Sequence, residues 1–178
     1  MSDEIQKQAT EGVTFRIPSG SISQLREESK KKQVSLNTLV NQILKDHLDW
    51  HTYAAQARFF PVPRSTMSRI IDKLTEEEIS ELAITVAKNT VDVGLLLSGE
   101  YTLTSFLNIL ENWSRISCFA YKHEANNEVH NFLIQHDMGR NYSFFVKEIF
   151  RYILEEMFKI KLDFTITDNT VVFRFRKS

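Results

Sequence analysis

Apolar positions along this chain alternate, then recur at helical spacing, then alternate again, and each change of period marks an element. In residues 13–17, Val13, Phe15 and Ile17 alternate with Thr14 and Arg16, so a short strand there has one apolar and one polar face. Pro18 closes it. Ile22 and Leu25 then give a thin helical stripe, and Ser35 fits an N-cap. Beyond it Leu36, Leu39, Val40, Ile43, Leu44 and Leu48 recur at the period of a second, better buried helix. A lone strand leaves its backbone groups unpaired, and an isolated two-stranded ribbon is marginal in water. The expected partner is the same strand of a second chain, antiparallel about a two-fold axis. This predicts an obligate dimer whose core holds Val13, Phe15, Ile17, Leu39, Val40 and Ile43.

The remaining pattern predicts a second domain. Pro61 and Pro63 interrupt any helix and favour extended chain, so a linker is expected over residues 52–64. Met67, Ile70, Ile71 and Leu74 read as a short helix. Thr75 and Glu78 form a capping-box pair ahead of the stripe Ile79, Leu82, Ala83 and Val86. A break is expected near Gly94 or Gly99, followed by a helix carrying Leu103, Phe106, Leu107, Leu110 and Trp113. Residues 117–124 and 128–136 read as two strands about Asn126-Asn127, a dipeptide that tolerates a tight hairpin. A long helix carries Tyr142, Phe145, Val146, Ile149, Ile153, Leu154 and Met157. Leu162, Phe164 and Ile166 then alternate against Val171, Phe173 and Phe175 about Asp168-Asn169. Two hairpins flanking one helix predict a four-stranded antiparallel sheet backed by that helix, with the earlier helices alongside. The fold class expected is α+β: a flexible arm over residues 1–11, a strand and two helices over 12–51, the linker, and an α+β assembly or sensor domain over 65–178.

Composition narrows the function classes. The single Cys118 excludes an internal disulfide framework and suits a reducing interior, and no apolar run approaches the roughly 20 residues that span a bilayer. Residues 1–11 lack the apolar stretch of a signal peptide, so a cytoplasmic protein is expected. Net charge is −1 over 178 residues, yet residues 13–45 hold six cations against two anions, a local +4. The run Lys30-Lys31-Lys32 is most of that excess.

Strand parity, Ser35 and the helix period together make residues 12–50 resemble the ribbon-helix-helix family of DNA-binding proteins. The resemblance implies an intermolecular two-stranded ribbon that enters the major groove, with Thr14 and Arg16 on base edges. It also implies a backbone phosphate held by the amides of Leu36 and Asn37, with Ser35, Asn37, Lys30, Lys31 and Lys32 adding contacts. Two residues depart from the family pattern: Glu28 replaces an apolar residue, and Gln33 stands where glycine is common. The segments around His136-Asp137-Met138-Gly139 and residues 167–173 loosely resemble the C-terminal part of poorly characterised archaeal regulators, which implies no ligand.

Other chemistry is sparse. With Asn126-Asn127 as a two-residue turn, His123 and His130 fall directly opposite each other, but no third metal ligand is near in sequence. A faint similarity to nickel-responsive repressors keeps that pair in view; a polar hairpin end is the preferred reading. His47 and His51 stand four apart on a helix, but Leu48 occupies the place of the metalloprotease glutamate. Five scattered glycines form no phosphate loop, and no nucleophile has a recognisable frame, so neither an enzyme nor a cofactor is expected. Aromatic residues outside the main stripe of the long helix, Phe144 and Phe150, require a covering surface. The earlier helices, a second subunit or a small effector could supply it. The reading is a homodimeric, sequence-specific transcriptional regulator associated with the nucleoid, binding double-stranded DNA and itself, with a tetramer left open. The alternative is an antitoxin-type adaptor that uses the N-terminal module to dimerise.

Overall fold

The computed structural model describes residues 11–52, 54, 59–126 and 129–176. Most of the expected N-terminal arm, residues 53 and 55–58 of the expected linker, and residues 127–128 of the first hairpin lie outside these. The chain divides into two compact units, Met1–Lys45 and Asp46–Ser178; the sequence placed the change later, between 52 and 64.

In the first unit, residues 11–18 belong to no strand of this chain, and the α1 helix (Ser19–Lys31) begins directly after Pro18. The end of α1 is a Schellman turn: Gln33 N–H donates to the Lys30 carbonyl at 3.1 Å and Val34 N–H to that of Ser29 at 3.0 Å. Gln33, at φ 55, takes the left-handed conformation that glycine serves more cheaply. The α2 helix (Leu36–Asp46) follows.

The second unit is the α+β body. A π-helical turn (His47–His51) comes first, then α3 (Arg64–Ile71), α4 (Glu76–Ser98) and α5 (Leu103–Ile116). Thr75 caps α4 in the expected capping box with Glu78, and Thr102 with Ser105 builds a second one on α5. Strands β1 (Ala120–Asn126) and β2 (Val129–Gln135) precede α6 (Arg140–Arg151), which runs into a π-helical turn (Tyr152–Met157). Strands β3 (Asp163–Ile166) and β4 (Thr170–Arg176) complete an antiparallel four-stranded sheet of order β1-β2-β4-β3. The four-stranded sheet and its backing helix are therefore as the period changes predicted.

Cross-strand register organises the core. One row runs His123–Phe132–Phe173–Phe164 across all four strands, and the next runs Tyr121–Ile134–Val171–Ile166. Phe132 stacks on Phe173 with ring centres 4.6 Å apart. The helix α6 covers this face with Val146 and Phe150, the π-helical turn after it adds Ile153, and α4 packs along α6. The covering surface that Phe150 demanded is α5: Phe106 and Trp113 meet its ring edge-on at 6.1 and 6.5 Å.

One local expectation needs correction. His123 pairs with Phe132, not His130, because Asn126 is itself a strand residue paired with Val129. The slip is two residues, which preserves the faces. Of the two expected break points, the left-handed Gly99 (φ 71) is the one that ends α4, which runs through Gly94.

Candidate nucleic-acid interface

The N-terminal unit brings the expected contact residues to its surface. Val13, Phe15 and Ile17 are 65%, 63% and 40% exposed, and Thr14 and Arg16 between them are exposed too. The Ser35 hydroxyl accepts from the Thr38 amide at 3.0 Å and lies 2.7 Å from the Thr38 hydroxyl, so it caps the first turn of α2. Asn37 is exposed and Leu36 half-buried in that turn, which carries no acidic residue. An anion at those amides would therefore meet the positive end of the helix dipole unopposed by a first-turn carboxylate.

The cations are not equivalent. Lys30 and Lys31 are exposed in the last turn of α1. Lys32 forms a 2.7 Å ion pair with Glu28. Both partners are about half exposed, so the pair contributes at most a few tenths of a kcal/mol. Of the expected dimer core, Leu39 is already 1% exposed within the single chain, Val40 is half-buried, and Ile43 is 44% exposed.

His123 and His130 do meet, but diagonally. The His123 Nε2 and His130 Nδ1 atoms lie 2.9 Å apart, one donating to the other, with the rings 18° from parallel. His123 also stacks on Phe132 at 4.1 Å, and His130 on Phe175 at 5.0 Å. Burial, and then the neighbouring imidazole, hold His123 below its ordinary pKa against the pull of Glu111. Glu111 comes from α5 and borders the same recess of about 200 Å³. No pattern in the chain pointed to it, because helix and hairpin meet only through tertiary packing. Among the described residues no group of three His, Cys, Asp or Glu side chains is arranged to hold a metal. His47 and His51 are exposed in the first π-helical turn.

His136 has a different task. Met138 N–H donates to its Nδ1 at 3.1 Å, so the proton sits on Nε2, which donates to the Ser143 hydroxyl at 2.8 Å. Burial pushes its pKa down to about 4, keeping the imidazole neutral. Asn169 ties the same corner to the second hairpin, its carbonyl accepting from His136 N–H at 2.9 Å and its Oδ1 from Gly139 N–H at 3.1 Å. The two segments singled out together in the sequence thus form one structural corner.

No known protein family's model matches this chain, and no curated protein matches it. Among the described residues no helix is long and apolar enough to cross a membrane.

Proposed function

We propose that this protein is a homodimeric, sequence-specific DNA-binding transcriptional regulator whose residues 12–51 form a ribbon-helix-helix reader. One observation carries the reading. A segment with the apolar alternation of a strand lies exposed and outside its own chain's sheet, directly ahead of two short helices joined through a left-handed turn and a serine cap. Burying Val13, Phe15 and Ile17 against a second copy would gain on the order of 1.5–3 kcal/mol for each fully covered side chain. It would also pair the strand's backbone groups.

In that dimer Thr14 and Arg16 face away from the core and read base edges in the major groove. The first-turn amides of α2, with Lys30 and Lys31, anchor phosphates and set the register. Lys32 contributes less, since Glu28 competes for it. The local +4 of residues 13–45 doubles in a dimer, concentrating cations where DNA would lie although the rest of each chain is acidic. No catalytic step is involved; function is the difference in affinity between sites.

The test is selection of bound fragments from random duplex DNA, followed by titration of the selected operator. Arg16→Ala should lose about 1–3 kcal/mol of discrimination per base pair read while the circular dichroism spectrum is unchanged. An Arg16→Ala protein that still prefers the operator as strongly as the parent contradicts the reading. Failure to select any sequence, with a stoichiometric protein recovered in pull-down instead, favours the adaptor.

A further inference from the structure

We infer that the second unit contains a binding cavity for a small, uncharged aromatic molecule of one or two fused rings. The cavity measures about 200 Å³ and opens between α4, α5 and α6 beside the parallel, stacked rings of Trp50 and Phe59, 5.6 Å apart. The exposed Phe59 and the half-buried Trp50, Val86, Val93, Trp113 and Ile149 line its open side, and its floor lies on Phe106, Val146, Phe150 and Ile153, each 4% exposed or less. Its volume is that of a small molecule, not of a protein element.

The lining sets the ligand's chemistry. Among the described residues it includes no charged side chain, and the Thr90 hydroxyl within it already donates to the Val86 carbonyl at 2.9 Å. A carboxylate or ammonium group would enter without a countercharge and lose its hydration. Drug-sized ligands need roughly 300–1,000 Å³, so this space sets an upper limit near two fused rings. Aromatic walls offer edge-to-face contacts that favour a ring over an alkyl chain of equal size. The cavity is formed by the second unit alone and is independent of what residues 13–17 bind.

Both tryptophans of the chain, Trp50 and Trp113, line the cavity, so their emission reports occupancy. The full-length protein is titrated with nitrobenzene, a neutral ring and quencher, and in parallel with 4-nitrobenzoate, the same ring with a charge. The expected result is saturable quenching and a raised melting temperature with nitrobenzene, and only linear collisional quenching with 4-nitrobenzoate. Val93→Phe, or Val86→Phe should that variant not fold, fills the space and should weaken nitrobenzene binding at least about tenfold. Nuclear Overhauser contacts from the nitrobenzene ring to the Val146 methyls locate the site in the parent protein without any variant. Linear quenching by both compounds, saturable binding untouched by the filled variants, or absence of the Val146 contacts overturns the inference. So does a change of oligomer mass in the filled variants, which would assign the space to a contact between copies.

Discussion

Gly94 and His136 show what single positions do in this molecule. A β-carbon added at Gly94 would overlap Cδ2 of the Tyr101 ring and sit 2.9 Å from Cε2, so the missing side chain is the space that ring occupies against α4. Gly94→Ala gains helix propensity of about 1 kcal/mol but forces the ring to move, and overpacking of this kind costs about 1–3 kcal/mol. The net expectation is a lower denaturation midpoint with no change of fold, read by urea titration. His136 makes stability depend on pH. Its folded pKa, near 4, lies below the unfolded value of about 6.5, so the unfolded chain takes up the proton first on acidification. The contribution is fully present above about pH 6.5 and is lost as pH falls toward 4, amounting to roughly 3 kcal/mol over that window. His136→Gln should flatten that part of the stability–pH curve, whatever it does to the plateau. An unchanged slope would mean that the corner at Asn169 protonates without loosening.

Elements were legible where periodicity and turn chemistry agreed. Phe164 pairs with Phe173 and Ile166 with Val171 as the sequence indicated, since Asp168-Asn169 is the only turn-forming pair between two alternating runs. The first hairpin departs by two residues from the register expected of an Asn126-Asn127 turn, and the register that prevails stacks His123 on Phe132 and continues the aromatic row. Packing across four strands outweighs the turn preference of one dipeptide. The Thr75 cap was readable from its spacing; the recess beside Glu111 and the cavity among α4, α5 and α6 were not, because their residues meet only after folding. In the N-terminal helices, Gln33 holds a left-handed turn at a penalty of about 1 kcal/mol or more. Gln33→Gly should therefore raise the thermal midpoint, whereas Ser35→Ala should remove a cap worth about 0.5–2 kcal/mol. Lys31→Ala should weaken binding to all duplexes alike and reduce the salt slope by about 1 for each phosphate that is no longer neutralised.

Across the whole molecule, the two units do different work. The first exposes apolar side chains and cations that nothing in residues 13–45 explains as a self-sufficient fold. The second has its own four-stranded sheet and hydrophobic core. The regulator proposed above needs pairing at the first unit to create its reading surface. Amide hydrogen exchange at residues 13–17, followed in the full-length protein at micromolar concentration, tests that pairing directly. The account predicts slow exchange at alternate amides of this segment, becoming fast on dilution as the two copies separate. Exchange at the rate of an open chain, at every concentration, would contradict it.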